Sequence, residues 1–342
     1  LLAKYGRDVF YRGEIARAII AKSRALGGTM TMADLANYRG EWVQPVDTVY
    51  HGAHLLELPP PSQGFAANEA LNILQQCVPK VVPGQSLASL GPANPQYWHL
   101  LVEAKKLAYA DLYRYNADPD AVRVPVAQLL STQHTESLCS KIDPNKASTP
   151  APPGTDVGIS DTVVLSTADR WGNMVSWVNS NFDEFGSGLT VPGYGFILHD
   201  RGALFSLDPK SPNSIAPHKR PFNTLDAGFI ARNGRPLMTL GLMGGDMQSQ
   251  GHEQIAVDII DLHANVQQAG DMARFRHSEI SNSLFLESPL YDLVGQRLKA
   301  MGHNVRSSNR APMGGYQAIM LLPNGAYAAG SDFGKDGEAV GW

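Results

Sequence analysis

The chain has 342 residues, 43% of them apolar and 18% charged, with 28 Lys+Arg against 32 Asp+Glu and a formal charge of −4. This balance excludes charge-driven disorder and offers no basic surface for nucleic acid or an anionic membrane. No uninterrupted apolar run reaches the ~18 residues that span a bilayer, and the length is ample for a sizeable core.

The first half reads as helical. Glu14 to Leu26 places Ile15, Ala18, Ile19 and Ala25 toward one face before Gly27-Gly28, a helix stop. Phe65 to Cys77 and His99 to Tyr115 repeat the pattern, the latter with Leu100, Ala104, Leu107, Ala108 and Leu112 inward. Between the first two helices, His51 to Leu58 reads as a strand running into Pro59-Pro60-Pro61-Ser62-Gln63-Gly64. Cys77 and Cys139 have no CxxC and no Cys/His partner spacing. Neither a zinc site nor a disulfide framework is supported, and both are expected as small buried hydrophobes. The Pro-rich stretch from Asp143 to Asp156 predicts a flexible, exposed linker and the main boundary of the chain.

Beyond it the period changes to two. Thr162 to Ala168 and Met174 to Asn181 predict a hairpin closed by Asp169-Arg170-Trp171-Gly172-Asn173. Gly228 to Arg232 and Pro236 to Leu240 flank Asn233-Gly234, the favoured two-residue hairpin turn. Gln317 to Leu322 and Ala326 to Gly330 flank Pro323-Asn324-Gly325, and helices are predicted over Gly251 to His263 and Pro289 to Met301. Hairpin-rich sheets with helices on both sides suggest stacked, mainly antiparallel sheets rather than parallel βαβ winding.

Several chemical signals fail. His252-Glu253 opens like a zincin helix, but the second histidine one turn later is missing. Phe185-Gly186-Ser187-Gly188 lacks nucleophile-elbow spacing, and there is no P-loop or dinucleotide fingerprint. What remains is a linker leading straight into a strand whose first residue is Thr162. The bland reading is a β-branched residue opening a strand. The sharper one is self-cleavage between Asp161 and Thr162, making Thr162 an N-terminal nucleophile. Its α-amine, with an ordinary pKa near ~7.7–8.0, would take the hydroxyl proton.

The run from Asp161-Thr162-Val163-Val164-Leu165 through Asp169-Arg170-Trp171-Gly172-Asn173, Ser180-Asn181 and Phe185-Gly186-Ser187-Gly188 resembles the small-subunit start of gamma-glutamyltranspeptidases. Lys219-Arg220-Pro221, Gly244-Gly245-Asp246-Met247-Gln248, Gly251-His252 and Ser331-Asp332 extend the resemblance. Upstream, Phe10-Tyr11, Asp34-Leu35, Pro59-Pro60-Pro61-Ser62-x-Gly64 and Val102-Glu103-Ala104 are similar to that family's large subunit, in the same order.

The resemblance implies an N-terminal-nucleophile (Ntn) hydrolase of the α+β class, an αββα four-layer sandwich of two stacked, mainly antiparallel sheets flanked by helices. It implies a precursor cut into residues 1–161, the end of a large subunit, and 162–342, a small subunit, which stay paired as one domain. Thr162 would be the nucleophile, Ser180 would orient it, and Gly244 and Gly245 would supply oxyanion-binding N–H groups. Asn223 and Thr224 match the pair that holds the donor carboxylate, and Asn181 stands one residue before the family's asparagine, whose position Phe182 takes. Leu1 would lie inside the large subunit, downstream of the arginine that binds the donor α-carboxylate.

The departures bear on the donor. The Gln and Asp that grip a donor's α-amino group fall on Arg201 and Leu204, with Asp200 one residue away. Arginine repels an ammonium and attracts carboxylates. The expected activity is therefore γ-glutamyl amide hydrolysis or transfer to water, an amino acid or a peptide, with a glutaryl or cephalosporin-acylase-like amidase as the alternative. An uncleaved, non-catalytic binding homologue is the reading from another class, and a metal-dependent hydrolase a distant third. None of these calls for a cofactor, and the sequence fixes no compartment.

Overall fold

The computed structural model describes residues 1–149 and 161–342. Its strands run in the order β1 (Val46–Tyr50), β2 (Ala53–Glu57), β3 (Asp161–Ala168), β4 (Met174–Phe182), β5 (Ala227–Arg232), β6 (Arg235–Leu242), β7 (Phe275–Ser278), β8 (Ser283–Glu287), β9 (Asn304–Ser308), β10 (Tyr316–Leu321) and β11 (Tyr327–Ser331). Six form one antiparallel sheet ordered β1-β2-β5-β6-β10-β11. β3 and β4 form a two-stranded sheet, and β7-β8-β9 a three-stranded one.

Adjacent residues of β6 show how the layers stack, because successive side chains of a strand point to opposite faces. Gly241 faces β3, where Val164 lies against it. Leu242 faces the other way and packs on Gly251 of the helix Met247–Ile260. That helix packs beside the helix Phe65–Val81, which in turn packs on Pro95–Tyr115. The β3–β4 hairpin thus covers one face of the large sheet and helices cover the other. On the hairpin's outer face Val163, Leu165, Val175 and Trp177 are exposed.

The predicted hairpins and helices form, with informative differences. His51 and Gly52 do not begin a strand. They make the left-handed turn (φ 46° and 80°) between β1 and β2, so the expected strand from His51 is instead the second arm of a hairpin. The helix Glu14–Ala25 buries Ile15, Ala16, Ile19 and Ile20 but leaves Ala25 exposed. The helix ending at Tyr115 starts earlier, at Pro95 capped by Asn94, and buries Glu103, Lys105 and Lys106 along with its apolar face. β8 and β9 pair in parallel across the helical run 288–300, a small exception to the antiparallel expectation.

Two expectations are corrected. Residues 143–149 are held in place: Ala147 N–H donates to Met301 O at 2.7 Å, Lys106 Nζ to Ser148 O at 2.9 Å, and Ser148 N–H to Glu103 Oε2 at 3.1 Å. The rest of the expected linker lies outside the described residues. Cys77 and Cys139 are buried as expected but bonded to each other in a disulfide. Spacing of 62 residues gives no hint of this. The helices Phe65–Val81 and Thr132–Cys139 pack side by side, bringing the two Cα atoms within 5.0 Å.

The chain has a smaller unit, Leu1–Val43 with Asn181–Asp200, and a larger one, Gln44–Ser180 with Arg201–Trp342. The smaller unit has its own core of Ile15, Ile19 and Val191, surrounded by Val9, Phe10, Leu35, Phe196 and Leu198.

The disulfide closes a long loop, for which loop-closure entropy corresponds to a stabilisation of about 4 kcal/mol. Replacing both cysteines by alanine is expected to lower unfolding stability in urea by about 2–4 kcal/mol. A loss near zero would show that the helices hold this arrangement without the bridge.

Candidate active site

β3 lies antiparallel across β6, and two contacts fix the register. Thr239 Oγ1 donates to Ser166 Oγ at 2.9 Å, and Val164 sits over Gly241. Beside them, Ser176 of β4 donates to Leu240 O at 3.0 Å. Followed toward its start, β3 therefore runs from Ser166 and Val164 to Thr162 in the direction in which β6 runs through Leu242 into Gly244-Gly245. Thr162 is buried, and its Oγ1 has no hydrogen-bond partner among the described residues. An unmet buried hydroxyl costs about 1–3 kcal/mol, which makes it a feature that calls for a role.

Gly244 and Gly245 have φ of 121° and 65°, backbone that a side chain disfavours. A Cβ on Gly244 would also stand 3.0 Å from Met247 Cβ and 3.2 Å from Gly314 Cα. Their carbonyls are engaged: Gly244 O accepts from Met247 N–H at 3.1 Å, and Gly245 O from Gln63 Nε2 at 2.8 Å. Neither glycine N–H finds an acceptor among the described residues. The turn leads into the buried helix Met247–Ile260, whose N-terminal dipole favours negative charge here.

The segment 222–226 runs alongside. Asn223 N–H donates to Pro61 O at 2.8 Å, and its Oδ1 accepts from Leu225 N–H at 2.9 Å. Thr224 is fully buried, and its Oγ1 accepts from Arg201 Nη1 at 3.1 Å. The structure therefore brings together Thr224 and Arg201, two residues singled out from the sequence, while Leu204 is buried three residues on in the same short helical turn. Asn213 ties that turn to the segment, with Nδ2 on Leu204 O at 2.7 Å and Oδ1 on Phe222 N–H at 2.9 Å. Arg220 anchors the upstream end on Asp118 at 2.7 Å, which gives the Lys219-Arg220-Pro221 motif a structural basis.

Ser180 is half-buried, on the same side of β4 as Ser176, which faces β6. Asn181, the first residue of the smaller unit's second segment, is exposed, and its carbonyl accepts from Asp200 N–H at 3.1 Å. Phe182 is buried at φ 81°, a conformation that asparagine tolerates better than phenylalanine.

Behind the glycine turn lies a layer of buried polar groups that the sequence reading did not select. Arg276 donates from Nε (3.1 Å) and Nη2 (2.7 Å) to Asp246 Oδ1. Burial raises the Asp246 carboxyl, while Arg276 and Lys105 pull it back down. Deeper, His252 Nδ1 meets Glu57 Oε1 at 2.9 Å, and Asp226 lies beside them. Burial pushes Glu57 up to about 8 and Asp226 well above the carboxylate range, the latter also through the neighbouring Glu57. Burial lowers His252. Glu57–Asp226–His252, His99–Glu103–His303 and Glu69–Asp111–His134 have the donor types of metal sites. All three are already bonded internally, the second through His99 Nδ1 and His303 Nε2 at 2.8 Å and the third through His134 Nε2 and Asp111 Oδ2 at 2.7 Å. Gln63 was also missed: in the motif Pro59-Pro60-Pro61-Ser62-x-Gly64 it is the open position.

A Cβ on Gly241 would stand 2.2 Å from Val164 Cγ1. Gly241→Ala is expected to cost about 1–3 kcal/mol through overpacking, read by thermal unfolding, and adding Val164→Ala should recover most of it. Equal stability of Gly241→Ala and the parent would contradict the flush stacking of β3 on β6.

Residues 1–342 match the family model for Gamma-glutamyltranspeptidase. The chain is 33% identical over 347 residues to the glutathione hydrolase-like YwrD proenzyme of Bacillus subtilis strain 168, covering 100% of this chain and 64% of that protein. It is 33% identical over 341 residues to the acylase ACY 1 proenzyme of Pseudomonas sp. strain SE83, covering 99% of this chain and 59% of that protein. The solved structure of a cephalosporin acylase from Bacillus halodurans matches with a TM-score of 0.89 at 36% identity, covering 100% of this chain and 61% of that one. The chain thus spans 59–64% of the length of these three relatives.

Proposed function

Because the chain belongs to the gamma-glutamyltranspeptidase family and has its α+β Ntn-hydrolase fold, we propose that it is part of an autoprocessing amidase working through an acyl-enzyme on Thr162. The observation that supports this reading is a buried Thr162 hydroxyl without a partner among the described residues, on a strand running toward a two-glycine turn whose N–H groups find no acceptor among them.

In maturation, Thr162 Oγ1 attacks the carbonyl carbon of Asp161. The peptide C–N bond breaks, leaving an ester, and water hydrolyses it to the Asp161 carboxylate and a free Thr162 α-amine. β2 precedes the cut and β5 follows it, yet they pair in one sheet, which supports the two pieces remaining together. In turnover, the α-amine takes the Oγ1 proton as the oxygen attacks the donor's amide carbon. The N–H groups of Gly244 and Gly245 stabilise the tetrahedral oxyanion, a role worth about 3–4 kcal/mol per donor in acyl transfer. The proton passes to the leaving amine as the C–N bond breaks, and water or an amine acceptor resolves the acyl-enzyme. Ser180 orients the nucleophile, while the Thr224 hydroxyl and the Asn223 amide face the donor's carboxylate.

The donor is a γ-glutamyl amide in the family's general chemistry. A second reading, a glutaryl-type donor without an α-amino group, is supported by buried Arg201, bonded to Thr224, and buried Leu204, the residues onto which the family's α-amino-binding Gln and Asp fall by gap-free count. The names of two relatives, acylase ACY 1 and cephalosporin acylase, lean the same way.

Thr162→Ala is expected to lower amide hydrolysis by at least a thousandfold; unchanged behaviour would favour a non-catalytic binding protein. A panel of γ-glutamyl and glutaryl p-nitroanilides separates the donors. Turnover of the glutaryl compound at a rate equal to or above that of the γ-glutamyl one supports the second reading, and a large γ-glutamyl preference removes it.

A further inference from the structure

We propose that Gln63 is a positioning residue that holds the oxyanion turn and the donor-carboxylate segment in one register; this rests on the amidase reading above. Gln63 is fully buried, and its side-chain amide spends both N–H groups on these two elements. Nε2 donates to Gly245 O at 2.8 Å and to Thr224 O at 2.8 Å. The orientation is chemically forced, since a flipped amide would set its oxygen against two carbonyl oxygens.

The loop carrying Gln63 is itself fastened to the donor segment residue by residue. Pro61 O accepts from Asn223 N–H at 2.8 Å and from Asn116 Nδ2 at 2.9 Å, and Ser62 Oγ donates to Leu225 O. The Gln63 carbonyl accepts from Ser249 Oγ at 3.1 Å, and Ser249 lies 2.8 Å from Asp226 Oδ2. A hydroxyl has one proton, so Ser249 is placed to serve either the Gln63 carbonyl or the Asp226 carboxyl. Three loop residues thus contact 223, 224 and 225, and Gln63 alone among them extends to the glycine turn.

The turn needs such a tether. Consecutive glycines have the greatest backbone freedom, yet oxyanion donors must sit within about 0.5 Å of their working position. Met247 N–H fixes the Gly244 carbonyl from one side. The next carbonyl receives Gln248 N–H at 3.3 Å and, at a shorter 2.8 Å, Gln63 Nε2, which couples it to the residue that would hold the substrate. Misplacement of about 1 Å costs roughly a hundredfold in rate.

The test uses the protein expressed from its whole gene, with Thr162→Ala alongside. Gln63→Met, similar in length but without donors, is expected to lower kcat ten- to a hundredfold and to raise KM severalfold for carboxylate-bearing donors. Gln63→Glu retains one donor only while protonated, so its kcat should fall with rising pH over a range where the parent's rises. In a cycle with Thr224→Val, the two effects on KM should be clearly less than multiplicative. Thermal unfolding of each variant identifies any that fail to fold, and the Gln63→Glu pH profile then stands as the readout on the folded protein. A folded Gln63→Met with kcat and KM within twofold of the parent, or a Gln63→Glu profile parallel to the parent's, overturns the proposal. Thr162→Ala as active as the parent overturns the amidase reading instead, and this inference with it.

Discussion

How closely β3 can lie on β6 sets the position of everything else at the site. Strands in stacked sheets normally keep about 10 Å apart, with side chains filling the gap. Here the side chain is absent at Gly241, so Val164 drops onto the β6 backbone, and Thr239 and Ser166 exchange a hydrogen bond beside it. That contact brings the start of β3 down to the end of β6, where the strand gives way to Gly244-Gly245. The proposed nucleophile, at the start of β3, and the proposed oxyanion donors, on the turn after β6, are thereby related through one packing contact between two sheets.

The turn is then fixed from behind. Its two carbonyls are held by Met247 and Gln63, and its far side rests on Asp246 paired with Arg276. Beneath it, burial raises the Glu57 and Asp226 carboxyls and lowers the His252 imidazole. Neutral groups can share protons through hydrogen bonds without the desolvation cost of charge. The charge nearest the turn is Asp246, and it is paired with Arg276 at 2.7 Å. Arg274, Arg310 and Asp332 form a separate ionic knot that fastens the C-terminal part of the chain, which accounts for Asp332 in the closing motif.

Much of the framework could be read from residues alone, because period-two runs around Asn233-Gly234 and Asp169–Asn173 encode their hairpins locally. His51-Gly52 was harder: the turn needs left-handed backbone at a histidine, which no local pattern announces. The disulfide was invisible because its partners meet through helix packing, and buried Lys105, Lys106 and Glu103 read as surface until their partners are seen. At the site, Thr162, Ser180 and the glycine pair were reached through resemblance, since a threonine opening a strand is ordinary by itself. Gln63 escaped because its two bonds go to backbone carbonyls far along the chain, a relation that leaves no spacing in the sequence.

The central claim is that Thr162 becomes an N-terminal nucleophile, and the intact mass of the protein from its whole gene, measured under denaturing conditions, tests it most directly. The account predicts two species, one with Thr162 as its first residue, and none of the uncut chain after full maturation. A single species that stays uncut on prolonged incubation, or a cut at any other bond, would contradict it.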